Sequence, residues 1–148
     1  MTPPVIIQAQ LNHLDQLVPL LDQYRQFYRQ PSAVDEARRF LQARLAGSES
    51  VIFLALRDNV GVGFTQLYPS FSSVSLRRLW ILNDLFVAGD QRGQGVATAL
   101  LERARTWAIA THAKGMALET AVDNPAQQLY ERLGWQRDNG FYHYSLTV

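Results

Sequence analysis

The chain contains no cysteine among its 148 residues. Disulfides, thiolate metal sites and a cysteine nucleophile are therefore excluded. The three histidines, His13, His112 and His143, lie far apart without the spacing of metal ligands, so we expect no metal site. No apolar run approaches the ~20 residues that span a bilayer, and residues 1–4 do not resemble the start of a secretion signal. These features predict a cytoplasmic protein that does not act on membranes.

An excess of charge of one sign is also missing, because 14 Lys and Arg residues face 13 Asp and Glu residues. The basic residues are scattered and adjacent only at positions 38–39 and 77–78. Nucleic-acid binders usually concentrate such residues in one stripe, so we expect no nucleic-acid partner. The hydrophobic fraction of 47% is that of a globular protein. Without repeats or linkers, the chain is predicted to be a single domain over residues 1–148.

Hydrophobic periodicity predicts alternating strands and helices in a mixed order. The predicted strands are 5–8, 51–56, 60–68, 79–87, 116–122 and 141–148, and the predicted helices lie within 12–24, 32–47, 94–111 and 124–134. Segment 69–75 is predicted to be a polar loop. This order predicts an α/β or α+β sheet with helices on both faces.

Several residue types mark the ends and faces of these helices. We expect side-chain N-caps at Asn12, Ser32 and Asn124, because Ser and Asn accept hydrogen bonds from the first helical turn. Gln127 is expected to complete a capping box with Asn124. The inward face of the second helix is predicted to consist of Ala37, Phe40, Leu41 and Leu45. Gly47 and Gly134 are expected to end their helices.

The most informative stretch joins an apolar strand, 82–87, to a helix through a glycine-bearing turn. Gly93 and Gly95 permit unusual dihedrals and close approach of an anion to the first N–H groups of the helix. The predicted ligand is a phosphate or pyrophosphate, although two glycines alone would indicate only a tight connection. A P-loop ending is absent, and Thr98 stands where a dinucleotide fingerprint needs Gly or Ala.

Two motifs together resemble those of the GNAT acetyltransferases. Arg92-x-x-Gly95-x-Ala97 is similar to the family's Arg/Gln-x-x-Gly-x-Gly/Ala pyrophosphate loop, and it follows a strand similar to Leu-x-Asp-Leu-x-Val. Residues 124–135 resemble the family's Asn-x-x-Ala-x-x-Leu-Tyr-x-x-x-Gly-Phe signature, with Trp135 in the last position. The chain is identified as a member of this family, and it looks closest to the small-amine and polyamine branch that includes Hpa2-like enzymes.

The resemblance implies the GNAT fold, a mixed and largely antiparallel sheet splayed between strands 4 and 5. It implies acetyl-CoA as the donor substrate, a small primary amine as the acceptor, and a homodimer. A separate argument for a homodimer is that segment 141–148, as the predicted last strand, would have an exposed edge. The residues that the resemblance assigns to the cofactor are Leu85, Phe86, Val87, Arg92, Gly93, Gln94, Gly95, Val96, Ala97 and Asn124.

The resemblance also implies catalytic roles. Tyr130 matches the tyrosine that protonates the departing thiolate in relatives. A protonated amine needs a proton acceptor, and Asp84 or Glu119 acting through water is predicted to serve. Relatives with polyamine substrates often carry Glu at the position of Asn83, which leaves the base open between these two carboxylates. Because strand side chains alternate, Asn83 and Asp84 are expected to point to opposite faces.

Three other functions are compatible with parts of this pattern. The first is an acetyltransferase acting on protein lysines or N-termini, which would need an open groove for a peptide. The second is a non-catalytic acyl-CoA-binding module, against which Tyr130 and Asp84 argue. The third, a nucleotide-binding domain, is disfavoured by the missing fingerprints.

Overall fold

The computed structural model describes residues 2–148 and divides them into two compact units, 2–118 and 119–148. The first unit contains the strands β1 (Val5–Gln8), β2 (Val51–Arg57), β3 (Val60–Ser72), β4 (Arg77–Val87) and β5 (Met116–Ala117). Its helices are α1 (Leu14–Phe27), α2 (Val34–Ala46) and α3 (Val96–Ala110). The second unit contains α4 (Ala126–Arg132). No helix within residues 2–148 has the length and apolarity needed to cross a membrane.

The five strands form one sheet in the order β1-β2-β3-β4-β5. Neighbours pair antiparallel except β4 and β5, which run parallel. This last pairing covers only Trp80↔Met116 and Ile81↔Ala117, so residues 82–87 of β4 have no β5 partner in the described chain. The predicted mixed, largely antiparallel sheet is confirmed, and the β4–β5 pairing ends at Ile81.

Helices cover both faces of the sheet. Ile52 and Leu54 of β2 belong to a buried cluster with Leu17 and Leu41 of α1 and α2. The ring of Phe53, which alternation places on the opposite face, lies 6.1 Å from that of Trp107 in α3. The prediction of helices on both faces is therefore confirmed.

The α1–α2 connection is held by a buried carboxylate, Asp22 of α1. Its oxygens accept hydrogen bonds from the Ala33 N–H and the Ser32 hydroxyl, both at 2.7 Å, and from Gln26 Nε2 at 3.0 Å. These donors favour the ionised form and lower the pKa of Asp22, with the Ala33 N–H as the largest cause. Ser32 was predicted to cap α2 itself, but its hydroxyl instead donates to Asp22.

Other local predictions were also wrong. Phe40 was placed on the buried face of α2, but it is exposed, with the Arg44 guanidinium 4.6 Å from its ring centroid. Asn12 lies inside the 3₁₀ turn Leu11–His13 rather than at an N-cap. Strand β3 extends to Ser72 and pairs with β4, so most of the predicted loop 69–75 is strand. Its backbone hydrogen bonds are satisfied by pairing despite the turn-forming sequence.

The end of the chain also differs from prediction. Strand β5 stops at Ala117 instead of extending to residue 122, and segment 141–148 forms no strand. The aromatic and β-branched residues of this segment favour a strand locally, but a strand needs a partner to satisfy its backbone groups. The edge-strand argument for a homodimer therefore loses its basis.

Candidate active site

The turn between β4 and α3 has the backbone needed to receive an anion. Gly93 and Gly95 have φ angles of 75° and 82°, a region that side chains disfavour, and Gly95 is the N-cap of α3. Apart from the adjacent residues of the chain, no atom of residues 2–148 lies within 4 Å of a Cβ built on either glycine, so the space beside the backbone is open. The N–H groups of the first turn of α3, which begins at Val96, have no acceptor within the helix. These residues fit a pyrophosphate.

A buried arginine that sequence reasoning missed anchors this turn. Arg57, the last residue of β2, is only 9% exposed. Its Nη1 donates to the side-chain oxygens of Gln91 and Gln94, the latter at 2.9 Å, and its Nε donates to the Thr2 carbonyl at 3.0 Å. Arg57 thus ties β2 to both sides of Gly93. Gln94, predicted to bind the cofactor, has its side-chain oxygen occupied by this contact.

The Arg92 side chain packs against aromatic rings. Its guanidinium carbon lies 5.5 Å from the ring centroid of Phe27 and 5.8 Å from that of Phe86, and its Nε donates to the Val87 carbonyl at 3.2 Å. The cation is therefore stabilised by the faces of both rings. Arg92 thereby connects the end of α1 to the end of β4. Its predicted charge on the pyrophosphate stays a prediction.

The expected pantetheine strand has one edge without a β5 partner. Leu85, Phe86 and Val87 pair on one side with Thr65, Phe64 and Gly63 of β3, respectively. On the other side the pairing with β5 ended at Ile81. Backbone groups on an unpaired edge can bind amides as an added strand would. The geometry is compatible with the predicted role of residues 85–87 toward pantetheine.

Asp84 is a buried carboxylate on β4, only 7% exposed. Gln66 Nε2 donates to its Oδ2 at 2.7 Å, and Asn83 Nδ2 donates to its Oδ1 at 3.1 Å. Burial raises the pKa of Asp84, because a desolvated carboxylate disfavours its charge, and hydrogen bonds from Gln66, Asn83 and Tyr24 oppose this rise. No Lys, Arg or His of residues 2–148 lies within 4.0 Å of the carboxylate. Within residues 2–148 this buried carboxyl group therefore has no cationic partner.

A β-bulge explains how Asn83 reaches Asp84. Gln66 pairs with Asp84 and Leu67 pairs with Leu82, so Asn83 is an extra residue in β4. Such a residue breaks the alternation of faces. The expectation that Asn83 and Asp84 point to opposite faces is therefore wrong, since their side chains form a hydrogen bond with each other.

Two tyrosines lie near Asp84. Burial, followed by the charge of Asp84, raises the pKa of Tyr24 above its ordinary value. The same two causes raise the pKa of Tyr68 to about 12. Both hydroxyls therefore stay protonated at neutral pH. The Tyr24 ring packs edge-on against Phe64 and Phe86, each 5.9 Å away between centroids, so α1 is joined to β3 and β4 around Asp84.

The second unit holds the remaining predicted residues. Asn124 Oδ1 accepts from the Ala126 N–H at 2.9 Å, but Pro125 is the N-cap of α4, so the N-cap predicted at Asn124 is one residue too early. The capping box is wrong, because Gln127 Nε2 donates to the carbonyls of residues 121 and 122. Tyr130 lies on α4, with its ring centroid 5.9 Å from that of Trp135. Gly134 has a φ of 96° and provides the predicted left-handed stop.

Glu119 differs from Asp84 in its environment. Its carboxylate is highly exposed and lies 3.2 Å from Nδ1 of His143, which is also exposed. The structure therefore brings Asp84 together with Gln66, Asn83 and Tyr24 inside the first unit, and it places Glu119 beside His143 inside the second. Across residues 2–148, no three or more His, Cys, Asp or Glu side chains form a group that could hold a metal ion.

Comparison with known proteins identifies the family. The model of the acetyltransferase (GNAT) family matches residues 14–135. The chain is 46% identical over 144 residues to an uncharacterized N-acetyltransferase, YhfO, of Bacillus subtilis (strain 168), with 97% of each chain covered. A crystal structure of a probable acetyltransferase has 50% identity and a TM-score of 0.92, again with 97% of each chain covered.

A more distant structure shares the fold. An aminoglycoside N-acetyltransferase in complex with CoA has 22% identity and a TM-score of 0.81, covering 98% of this chain and 95% of that one. Members of the matched family use acetyl-CoA as the acetyl donor. The match over most of the chain, the close relatives and the shared sheet lead to one conclusion: this chain belongs to the GNAT family and is an N-acetyltransferase.

Proposed function

We propose that this enzyme transfers the acetyl group of acetyl-CoA to a primary amine of a small molecule, such as a polyamine, a diamine or an amino-acid-like amine. Asp84 carries the proposal, because it is a buried carboxylate without a cationic partner among residues 2–148. Burying an unpaired carboxylate is costly, and an ammonium group would compensate it. The acceptor would therefore supply the missing counter-ion.

Asp84 is also the better candidate for the base. A primary amine has a pKa near ~10.4, so freeing its lone pair near pH 7.4 costs roughly 4 kcal/mol without help. A carboxylate with a raised pKa accepts this proton more readily than an ordinary one. The burial that raises the pKa of Asp84 therefore suits this role. Glu119 is highly exposed beside His143 and has no comparable environment.

The other residues bind the donor and supply a proton. Acetyl-CoA provides a thioester whose carbonyl carbon the free amine attacks. Residues 85–87 are proposed to bind the pantetheine amides, and the turn carrying Arg92, Gly93, Gln94, Gly95, Val96 and Ala97 to bind the pyrophosphate through its N–H groups. Tyr130 is proposed, from its motif, to donate a proton to the departing thiolate sulfur. Asn124 accepts a hydrogen bond from the first N–H of α4 and is proposed to contact the donor as in relatives.

The acceptor class can be tested with thiol release from acetyl-CoA. The panel contains polyamines, free amino acids and lysine peptides, and CoA binding is followed separately by thermal shift. We expect turnover with a small amine. Turnover only with peptides would favour a protein acetyltransferase, and CoA binding without any turnover would favour a non-catalytic module.

The role of Asp84 can be tested with Asp84→Asn, which keeps the shape of the side chain and removes its charge. We expect kcat/KM to fall by about 10²- to 10⁴-fold, the usual contribution of a positioned base. Asp58→Asn is the matched control, because Asp58 is exposed in the β2–β3 turn and its φ of 53° is tolerated by Asn. Equal activity of the two variants would reject Asp84 as the base.

We further propose a cytoplasmic homodimer built from single-domain chains. The support is a set of exposed apolar side chains near the end of the chain, namely Phe141, Tyr142, Tyr144, Leu146 and Val148. Large exposed apolar groups often mark an interface. Sedimentation should give twice the chain mass of 16.8 kDa, and a purely monomeric species would reject the dimer. Cell fractionation tests the compartment.

A further inference from the structure

Asp84 is held by two consecutive residues of β3. The Thr65 hydroxyl donates to the Asp84 backbone carbonyl at 2.7 Å, and Gln66 Nε2 donates to the Asp84 carboxylate at 2.7 Å. Both β3 residues are 0% exposed. Gln66 lies directly opposite Asp84 in the antiparallel ladder, next to the bulge at Asn83. Asp84 is therefore fixed at its backbone and its side chain by residues that water does not reach.

The Gln66 amide is only half satisfied. Its Oε1 is buried and has no hydrogen-bond donor among residues 2–148, although buried polar atoms in native proteins usually have a partner. An amide can present either its N–H or its oxygen to a carboxyl group, since rotation by half a turn exchanges them. Its N–H suits the ionised form of Asp84, whereas its oxygen suits the protonated form.

We propose that Gln66 is a positioning residue that holds Asp84 ionised before the acceptor reacts and then turns its amide to accept the hydrogen bond of the protonated carboxyl. This inference rests on the proposed role of Asp84 as the base. In the first orientation Nε2–H binds Oδ2; in the second, Oε1 binds the new O–H group. The unpaired oxygen is thus kept for the state after proton transfer.

Few groups near Asp84 can hydrogen-bond both the ionised and the protonated form of its carboxyl. Tyr24 from α1 and Asn83 from β4 also donate to the carboxylate. Tyr68 of β3 is influenced by the charge of Asp84 and by that of Arg44 on α2. Burial raises the pKa of Asp84, and among the interactions that lower it the hydrogen bond from Gln66 has the largest effect. The amides of Gln66 and Asn83 each contain a donor and an acceptor. The Asn83 side chain is exposed, so water can satisfy either group, whereas Gln66 is buried.

The first experiment removes the amide. Gln66→Met keeps the length of the side chain but cannot hydrogen-bond the carboxyl, and Leu67→Met is the control at the next buried position of β3. Asp84 is followed directly by NMR titration of carboxyl-¹³C-labelled aspartate without acceptor, with Asp84→Asn to assign the resonance. A hydrogen bond to a charged group is stronger than one between neutral groups by about 1–1.5 kcal/mol, and Gln66 is proposed to bind both forms of the carboxyl. Its loss should therefore raise the Asp84 midpoint by about 1 pH unit.

The second experiment follows the amide itself. The side-chain ¹⁵N–¹H signals of Gln66 should shift in the unmodified protein with the same midpoint as the Asp84 carboxyl, and Asp84→Asn should abolish this shift. Gln66→Glu should raise the Asp84 midpoint at least as far as Gln66→Met, because two carboxylates then repel. The acid limb of kcat/KM should move upward with the carboxyl midpoint in both Gln66 variants.

The outcomes separate this inference from the proposed function. An Asp84 midpoint that stays unchanged in Gln66→Met, or Gln66 amide signals that do not follow it, would overturn the inference. If midpoint and amide behave as expected while the acid limb stays in place, the Gln66–Asp84 relation is supported, and the proposed role of Asp84 as base is rejected. If the Asp84 midpoint, the Gln66 amide signals and the acid limb all change as expected, both the inference about Gln66 and the role of Asp84 as base are supported.

Discussion

Replacing Arg57 with Met tests whether the donor turn (residues 88–95, proposed to bind acetyl-CoA) is ordered by a residue far away in sequence. Arg57 donates to Gln91 and Gln94, which lie on either side of Gly93, and to the Thr2 carbonyl. Methionine keeps most of the buried aliphatic length and removes all three hydrogen bonds. We expect the turn to lose its anchor while β2 remains paired with β3, because the ladder hydrogen bonds are made by the backbone.

The size of the effect follows from the two contacts to the turn. Each hydrogen bond from a charged donor contributes about 1.5–3 kcal/mol when both groups are buried. Gln91 is half-buried and Gln94 is exposed, so water replaces much of what the two glutamines lose. We therefore expect the ordered turn to lose about 1–3 kcal/mol in total. If this free energy is needed to bind the donor, CoA affinity falls by about 5- to 150-fold.

Calorimetric titration with CoA measures this loss, and steady-state kinetics should show a higher KM for acetyl-CoA with a largely retained kcat. The CoA affinity of Arg57→Lys should lie between those of the parent protein and Arg57→Met, since a lysine has one cationic group in place of the forked guanidinium. Arg105→Met, at an exposed position of α3, is the matched control. Thermal denaturation confirms that each variant is folded at the assay temperature. A CoA dissociation constant within twofold of the parent protein would refute the anchoring role of Arg57.

Two further predictions concern stability. Gly63→Ala places a Cβ 2.9 Å from the Phe86 carbonyl oxygen, so we expect a loss of about 1–3 kcal/mol in the free energy of unfolding; Gly115→Ala, with open space, is the control, and equal melting temperatures would contradict the clash. Asp22→Asn should cost about 1–3 kcal/mol at pH 7, measured by urea denaturation. Because the folded pKa of Asp22 is lowered, its contribution is complete above the unfolded value near ~3.9 and is lost as the pH falls through the folded pKa. The Asn variant should therefore lose less stability on acidification, and parallel curves for both proteins would reject this.

The donor turn could be predicted from sequence because its signals are local. An apolar run followed by Gly93 and Gly95 predicted a strand, a tight turn and a helix, and the structure has all three with positive φ at both glycines. A positive φ favours glycine, so a turn that needs one often shows a glycine in the sequence. The left-handed stop at Gly134 was predictable for the same reason.

The partners of Asp84 could not be found this way. Gln66 and Tyr24 meet Asp84 through strand pairing and helix packing, and a polar residue in β3 gives no sign of which β4 residue lies opposite. The bulge at Asn83 shifts the register by one residue without glycine or proline to mark it. Arg57 was missed likewise, because its partners are 34 and 37 positions away.

Segment 141–148 shows the opposite error, in which a local pattern predicted too much. Its aromatic and β-branched residues have high strand propensity, yet the segment forms no strand. Propensity in a strand reflects packing against neighbours more than an intrinsic backbone preference. Phe40 failed in a similar manner, since helical spacing placed it on the buried face while the Arg44 guanidinium covers its exposed ring.

The bulge in β4 decides which face of the sheet Asp84 occupies. Asn83 has no pairing partner in the β3 ladder, so its side chain can be exchanged without changing which residues pair. Loss of the bulge with Asn83 retained would be a different kind of change. Asn83 would then lie opposite Gln66, and Asp84 to Val87 would each turn to the other face of the sheet, because strand side chains have a period of two. A register slip of one residue would thereby remove the carboxylate from Gln66 and Tyr24 although the sequence of the site was unchanged.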